Sequence, residues 1–133
     1  SMRCDCRFQL TESLKQIAQN GRGVIFYLQQ EGRGIGLSNK IKAYSLQDKG
    51  LDTVEANHQL GFKDDERTYE NIAGMVKYLA IKKLDLMTNN PKKIKALEDM
   101  GIKVNQRVPI FKDTNKYNEK YISTKKSKLG HLI

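Results

Sequence analysis

The sequence predicts an α/β fold, a single compact domain with a mixed or parallel sheet and flanking helices. Three observations predict it: short apolar runs at residues 24–28, 84–87 and 102–108, segments of helical periodicity between them, and glycines at the boundaries. Right-handed crossover connections would make these strands parallel. Because 133 residues is the size of one domain, we expect residues 1–133 to form one domain.

The first predicted element is a helix over Thr11–Asn20. Leu10, Leu14 and Ile17 fall on one helical stripe, Thr11 is a suitable N-cap, and glycines follow Asn20. The second is a buried strand over Val24–Leu28, because this run is β-branched and aromatic and is bounded by glycine and polar residues. A glycine-rich loop, Glu31–Gly36, should connect this strand to the next helix.

The second predicted helix ends at Gly50 and carries apolar side chains at Leu37, Ile41, Tyr44 and Leu46. Residues 51–65 show no sustained period, so a long ordered loop is expected there, and such loops are often functional. Helical spacing returns from Tyr69 to Leu79.

The last predicted unit is strand, helix, strand. The strand over Leu84–Met87 is followed by a helix that Pro91 opens at its first position, with Ile94, Leu97 and Met100 facing inward. Gly101 ends that helix, and a final strand follows over Ile102–Val108. The polar, lysine-rich residues 111–133 predict an irregular basic tail that packs only at Tyr121 and Leu132.

The net charge of the sequence indicates which classes of molecule it could bind. Lys and Arg number 24 against 15 Asp and Glu, a formal net charge of +9 that favours anionic partners. Nucleic acid is the weakest of these hypotheses, because the lysines are spread along the chain and form no stripe interleaved with aromatic residues. Membrane insertion and secretion are disfavoured, since no apolar run approaches a bilayer span and no basic-then-apolar leader opens the sequence.

The two cysteines, Cys4 and Cys6, are separated by one residue. This spacing suits two thiolates on one metal better than a structural disulfide, and it indicates a reducing compartment, the cytoplasm. A catalytic zinc usually needs three protein ligands, and neither His58 nor His131 has a spacing that ties it to the cysteines.

Two segments follow predicted strands and precede predicted helices. Thr88–Lys93 could hold a phosphate at a helix N-terminus, with the Thr88 hydroxyl and the Lys93 ammonium as donors; the alternative is a capped helix with solvated lysines. Glu31–Gly36 matches neither the dinucleotide fingerprint nor the P-loop. Its Glu31 could accept hydrogen bonds from a guanine edge and its Arg33 could hold an oxyanion, or its glycines could simply turn the chain.

The segment Asp64–Arg67 has two interpretations as well. Asp64 and Glu66 suit the acidic first turn of a helix. Asp65 and Arg67 could instead place a base beside a cation, to which Tyr44 would add a phenol that donates or orients a proton.

Seven segments occur in a specific order along the chain. They are Arg3–Cys6 followed by Phe8–Gln9, Gln30–Arg33, Asn39–Ile41 with Ala43–Tyr44, Asp52–Asn57, Asp65–Arg67, Leu86–Lys93 and Lys128–Leu132. Together they resemble GTP cyclohydrolase II, over nearly the whole chain. The resemblance implies the α/β fold of that family and the hydrolysis of GTP to formate, pyrophosphate and a diaminopyrimidine ribosyl phosphate, the opening step of riboflavin biosynthesis, with zinc and magnesium as cofactors.

The resemblance also implies roles for individual residues. Cys4 and Cys6 match two of three zinc thiolates, and the metal-bound water would attack C8 of the guanine. The GTP-contacting positions of the family are matched by Gln9, Glu31, Gly32, Arg33, Thr53, Thr88 and Lys93. Arg67 matches the proposed nucleophile toward the α-phosphorus, Asp65 the proposed proton acceptor, and Tyr44 a tyrosine of the active site. Magnesium would be held mostly by triphosphate oxygens and water.

One departure from the family bears on activity. The third zinc cysteine and the opening strands of the family lie upstream of the Arg-Cys-Asp-Cys segment, and this sequence has no third cysteine. We therefore expect weak zinc binding and little or no GTP turnover, with nucleotide or phosphate binding retained. The alternative is a catalytically inactive nucleotide-binding module of the same fold. An uncovered sheet edge or apolar face would also favour self-association, for example as a homodimer.

Overall fold

The computed structural model describes residues 1–111 and 113–133, and within them it contains six helices and two strands. The helices are α1 Cys6–Asn20, α2 Gly36–Asp48, α3 Thr53–Gln59, α4 Glu70–Tyr78, α5 Pro91–Asp99 and α6 Glu119–Ser127. The strands are β1 Lys83–Met87 and β2 Lys103–Val108. No helix in the described ranges combines the length and the apolar character needed to cross a bilayer.

The two strands confirm the predicted α/β class. β1 and β2 pair in parallel, from Lys83 opposite Lys103 to Met87 opposite Val108, and α5 connects them. The amide of Thr88 donates to the carbonyl of Val108 at 3.0 Å, which continues the pairing one residue past β1. The parallel pair therefore places Thr88 and the start of α5 at the carboxyl end of the sheet.

The core lies between α4, α5 and the strand pair. Its buried cluster consists of Ile72, Val76, Leu97 and Ile102, against which partly buried side chains of both strands pack. The predicted helices at residues 69–79 and 91–100 are confirmed, with their apolar stripes turned inward. Burial of these stripes, more than local propensity, stabilises helices of only nine residues.

The strand predicted over Val24–Leu28 is wrong. No residue of this segment pairs with a neighbouring strand in the described part of the chain. Phe26 and Leu28 nevertheless pack against the core, while Val24 and Tyr27 are exposed. The apolar pattern thus reports side-chain burial correctly, but a strand also needs a second backbone at hydrogen-bonding distance.

Two predicted boundaries are corrected near the N-terminal half. α1 begins at Cys6, so Thr11 is an interior residue and not an N-cap. The loop predicted over residues 51–65 contains α3. Asp52 accepts from the amides of Val54 and Glu55, and the Glu55 side chain accepts from the amide of Asp52. This capping box is visible in the sequence, whereas a helix of seven residues is too short to show a hydrophobic period.

The tail predicted to be irregular contains α6 and is more buried than expected. Asn118, Thr124, Lys125 and Leu129 are buried, whereas the Leu132 side chain, predicted to pack, is exposed. Lys128 forms ion pairs with Asp52 and Glu55, which ties the tail to the start of α3. The lysine content of this segment predicts a solvated surface. A lysine can nevertheless be buried when its ammonium group forms an ion pair with a carboxylate.

The glycine-rich loop is hydrogen-bonded to the segment before α4. The carbonyl of Arg33 accepts from the amide of Glu66 at 2.9 Å, and the side-chain amide of Gln30 exchanges two hydrogen bonds with the backbone of Thr68. α4 begins only at Glu70, so the predicted acidic first turn at Asp64 and Glu66 is wrong.

Gly34 makes this contact possible. It adopts a φ of +90°, and a Cβ placed there would lie 3.0 Å from the carbonyl carbon of Glu66. Gly36, with a φ of +84°, has open space around the same position. The first glycine is needed for both its conformation and the close approach of the two segments, the second for its conformation alone.

Gly34→Ala should therefore destabilise the fold more than Gly36→Ala. The left-handed conformation costs an alanine about 1–2 kcal/mol at either position. At position 34 the backbone of Glu66 must also shift, which adds about 1 kcal/mol or more. Urea denaturation of both variants measures the difference, and equal losses of stability would contradict the close-approach argument.

Candidate active site

A cavity of about 250 Å³ lies where β1 ends and α5 begins. It is lined by Cys6, Gln9, Glu31, Gly32, Arg33, Tyr44, Thr53, Arg67, Thr88 and Lys93, which are all but two of the residues predicted to form a site. Of the remaining two, Cys4 is buried two residues from Cys6, and Asp65 forms an ion pair with Arg67. The chain thus brings predicted site residues from six separated segments to one hollow.

The segment after β1 is both a capped helix start and part of the cavity wall. The Thr88 hydroxyl accepts from the amide of Asn90 at 3.0 Å, and the Asn90 side chain caps α5 by accepting from the amide of Lys92 at 3.0 Å. Pro91 occupies the first helical position, as predicted. The cap occupies one amide of the first turn, while the Lys93 side chain faces the cavity.

Lys93 is a buried cation in the cavity wall whose charged form is disfavoured by its surroundings. Its pKa is lowered to about 8, chiefly by burial and then by the positive charges of Arg67 and Lys125. Among the described residues, no carboxylate lies within ion-pair distance of its ammonium group. An ammonium group in this position gains free energy when an anion enters the cavity.

The glycine-rich loop contributes an ionised carboxylate. Glu31 accepts from the Lys40 ammonium group at 2.7 Å and from the amide of Gly32 at 2.9 Å, both through the same oxygen. The hydrogen bond from Lys40 is the main reason that the pKa of Glu31 lies below its ordinary value. Glu31 is therefore an acceptor in the cavity wall at neutral pH.

Arg67 and Asp65 form a bidentate pair with distances of 2.8 Å and 2.5 Å. Burial disfavours both charges, but the hydrogen bonds and mutual attraction outweigh it, so the pKa of Arg67 is raised and that of Asp65 is lowered. A guanidinium held in this way stays protonated and positive. The geometry favours an electrostatic role for Arg67 over a nucleophilic one.

Tyr44 is placed between two cations. Its ring centroid lies 5.3 Å from the guanidinium carbon of Arg3 and 5.8 Å from the ammonium nitrogen of Lys40. Burial raises the pKa of the Tyr44 phenol, and its buried hydroxyl has no hydrogen-bond partner among the described residues. A neutral phenol in the cavity wall can donate a proton or a hydrogen bond to a bound molecule.

The two thiols shift each other's pKa in opposite directions. Both are free, and the hydrogen bond from the Cys6 side chain is the main cause that lowers the pKa of Cys4 to about 5, against the effect of burial. The same hydrogen bond, followed by burial, raises the pKa of Cys6 above its ordinary value. Of the two side chains, only that of Cys6 lines the cavity.

The thiol pair does not complete a zinc site. In the ranges that the structure describes, no three Cys, His, Asp or Glu side chains are grouped so that they could hold a metal ion. His58 is bound to Asp64 at 2.5 Å. Two soft ligands fit part of a zinc coordination sphere, and a catalytic zinc requires a third.

Sequence reasoning missed the contribution of the C-terminal segment. Tyr121, Lys125 and His131 all line the cavity, and the amide of Leu132 donates to the carbonyl of Asn89 at 2.8 Å, next to Thr88. Burial, followed by the charge of Lys125, lowers the pKa of His131 to about 4, so this imidazole is neutral at physiological pH. The sequence singles out the segment Lys128–Leu132 and predicts that Tyr121 packs, but no local pattern places Tyr121 or Lys125 in a cavity wall.

The chain is similar to proteins of one enzyme family. The sequence model of the GTP cyclohydrolase II family matches residues 1–109. GTP cyclohydrolase-2 of Campylobacter hominis is 62% identical over 133 residues, which are 100% of this chain and 67% of the relative. The proteins of that name from Shewanella amazonensis and Azotobacter vinelandii are 57% and 58% identical over the whole chain, which covers 65% and 64% of them. The chain thus spans about two thirds of the length of these relatives, and it belongs to the GTP cyclohydrolase II family.

Proposed function

We propose that the cavity binds GTP and that the protein is a hydrolase of the GTP cyclohydrolase II type, acting in riboflavin biosynthesis. The observation that carries this proposal is the composition of one cavity wall: an amide and a carboxylate, a set of cations, and one thiol of the cysteine pair. The amide and the carboxylate are complementary to the guanine base, and the cations are complementary to the phosphates. The free thiols agree with the reducing cytoplasm as the place of action.

The guanine base is proposed to bind at Gln9 and Glu31. The Watson–Crick edge of guanine presents N–H donors, and an ionised carboxylate and an amide oxygen are acceptors. Glu31 keeps one carboxylate oxygen without a donor among the described residues, since Lys40 and Gly32 share the other. Gly32 and Thr53 complete this end of the cavity.

The triphosphate is proposed to bind at the cationic end. Lys93 supplies an ammonium group without a compensating carboxylate in the described ranges, and Arg33 and Arg67 add guanidinium groups that suit phosphate geometry. Thr88 stands at the start of α5, where the helix dipole favours negative charge. Magnesium would be held by phosphate oxygens and water, because Glu31 is the only carboxylate that lines the cavity among the described residues.

The roles of the remaining residues follow from their surroundings. Arg67 would stabilise charge at the α-phosphate, with Asp65 holding the guanidinium in place and accepting a proton only if that pair opens. Tyr44 would donate or orient a proton from its neutral phenol. Cys4 and Cys6 would contribute two zinc ligands, and two ligands bind zinc weakly.

For this chain we therefore propose retained nucleotide binding with impaired hydrolysis. The alternative function, an inactive nucleotide-binding module, makes the same claim about binding and differs only in turnover. The observation that favours the inactive module is that the two thiols have no third metal ligand grouped with them among the described residues. Binding and turnover must accordingly be measured separately.

Lys93→Met should weaken GTP binding by about 10-fold or more, because it removes a charge-assisted hydrogen bond to phosphate. The Lys93 pKa of about 8 also predicts that GTP affinity of the unmodified chain falls from pH 7.5 to 9 as this ammonium group loses its proton. Lys93→Met should abolish that part of the pH dependence. Isothermal titration calorimetry with GTP across this range measures both effects.

The free energy of unfolding should depend on pH in the opposite direction from GTP affinity, because it should rise as the pH increases. The folded-state pKa of Lys93 lies below the ordinary 10.5, so the unfolded chain binds more protons between about pH 8 and 10.5 and stability rises across that window. Lys93→Met should remove this rise. Lys92→Met, at an exposed neighbouring position, is the matched control and should change neither property. An unchanged GTP affinity in Lys93→Met would refute the phosphate assignment.

Zinc should bind weakly to this chain, and formate release from GTP should not exceed that of a Cys4→Ser/Cys6→Ser variant. The reason is that two thiolates leave the coordination sphere incomplete. Equilibrium dialysis with zinc measures the first statement, and formate assays at saturating zinc, magnesium and GTP measure the second. Robust formate release by the unmodified chain would show that the proposed impairment is wrong.

We also propose that two copies of the chain associate through an apolar surface formed by Phe26, Met75, Tyr78 and Leu79. These side chains line one shallow hollow, and Tyr78 is 89% exposed. The neighbouring segment Val24–Leu28 adds backbone that pairs with no described strand. A second copy of the same surface would cover both.

Tyr78→Lys should convert the associated form to monomer, because it places a charge in the centre of the apolar surface. Size-exclusion chromatography with light scattering measures the mass of each species. Tyr117→Lys, at another exposed tyrosine, should leave the mass unchanged. A monomeric unmodified chain at micromolar concentration would rule this association out.

A further inference from the structure

A buried ion pair joins the two ends of the chain beside the cavity. The ammonium group of Lys125, on α6, donates to Oδ1 of Asp5 at 2.7 Å. The two side chains are 6% and 9% exposed, respectively, so both charges are almost fully removed from water. Asp5 is the residue between Cys4 and Cys6, and Lys125 itself lines the cavity.

Such a pair is not explained by stability alone. Removing two charges from water costs several kcal/mol per ion in effective terms, and attraction repays this only with good geometry. The remaining oxygen of Asp5 indicates what the pair is used for. Oδ2 of Asp5 accepts from the side-chain amide nitrogen of Gln9 at 2.7 Å.

This contact fixes which end of the Gln9 amide faces the cavity. A carboxylate paired with an ammonium group accepts hydrogen bonds and donates none, so only the NH₂ end of the amide can face Asp5. The oxygen end is left for other partners, and no described residue donates to it. Gln9 lines the cavity, one helical turn after the Cys-Asp-Cys segment.

We infer that Asp5 and Lys125 are positioning residues that orient the Gln9 amide, so that its oxygen accepts a hydrogen bond from a base with N–H donors on its Watson–Crick edge. The inference rests on the proposed binding of GTP in this cavity. It adds a source of base specificity. With the amide reversed, its NH₂ group would face the N–H donors of guanine, and the preference for guanine would be lost.

The inference also gives the C-terminal helix a function in the site. Lys125 lies beyond residue 109, where the family match ends, and it acts on the base-binding end through Asp5. α6 is held in turn by its own contacts, since Thr124 is buried and Lys128 pairs with Asp52 and Glu55. The base end of the cavity therefore depends on residues from both ends of the chain.

The decisive variant is Asp5→Asn/Lys125→Met, which removes both charges at once and leaves no uncompensated ion in the interior. Asparagine keeps the shape of Asp5 but can donate, so both orientations of Gln9 become possible. The preference for GTP over ATP, measured as the ratio of their dissociation constants, should fall by about 10-fold, the worth of one well-made hydrogen bond to the base. ATP affinity should change less than GTP affinity, because the variant removes one positive and one negative charge together and keeps Arg33, Arg67 and Lys93.

A purely structural role would weaken GTP and ATP binding equally and leave their ratio unchanged, and that result would overturn the inference. Lys126→Met, at the exposed neighbouring position of α6, is the control and should keep both affinities. If the double variant does not fold, Asp5→Asn/Lys125→Gln, which also leaves no charge and allows a hydrogen bond between the two side chains, is measured, and the same change in ratio is expected.

A second readout does not require nucleotide. The Gln9 side-chain NH₂ protons should give separate, slowly exchanging NMR signals in the unmodified chain, which shift toward free-amide positions in the double variant. If the unmodified chain fails to bind GTP, the proposed function fails, yet these signals still decide whether Asp5 and Lys125 orient Gln9. Identical Gln9 signals in both proteins would refute the positioning role.

Discussion

Positive charge gathered around one small cavity is the constraint on which the site depends. Desolvation disfavours each of these cations, and most are compensated by a carboxylate: Arg67 by Asp65, Lys40 by Glu31 and Lys125 by Asp5. Lys93 has no such partner in the described ranges, and its pKa is lowered to about 8. The pairs hold the wall in place, and the uncompensated ammonium group leaves a net attraction for a polyanion.

The compensating carboxylates do more than neutralise charge. Asp5 also holds the amide of Gln9, and Glu31 also binds the backbone of its own loop. These two carboxylates therefore each hold a hydrogen-bonding group of a residue that lines the cavity. Preorganised donors and acceptors bind a ligand with a smaller loss of conformational entropy than free side chains do.

Backbone geometry explains why distant segments share this wall. Gly34 allows the loop after residue 30 to contact the segment before α4. The parallel pairing of β1 and β2 places Thr88 at the carboxyl end of the sheet, next to the cavity. The C-terminal segment then closes the cavity from another side through Leu132 and Asn89. The two free thiols of Cys4 and Cys6 lie beside this arrangement and are two of the ligands that a catalytic zinc ion needs.

The sequence by itself determined the α/β class, α2, α4 and α5, both strands of the parallel pair, and a set of site residues most of which line the cavity. These features depend on local signals, such as the Pro91 helix start and the apolar stripe of α4, or on an ordered set of motifs. Only the tertiary structure decided that Val24–Leu28 pairs with no described strand, that residues 119–127 form a helix, and that Lys125 is buried on Asp5. The physical reason is that a ladder or an ion pair requires a partner far along the chain. Lys125 and Asp5 are 120 residues apart, so no local pattern distinguishes this lysine from its solvated neighbours.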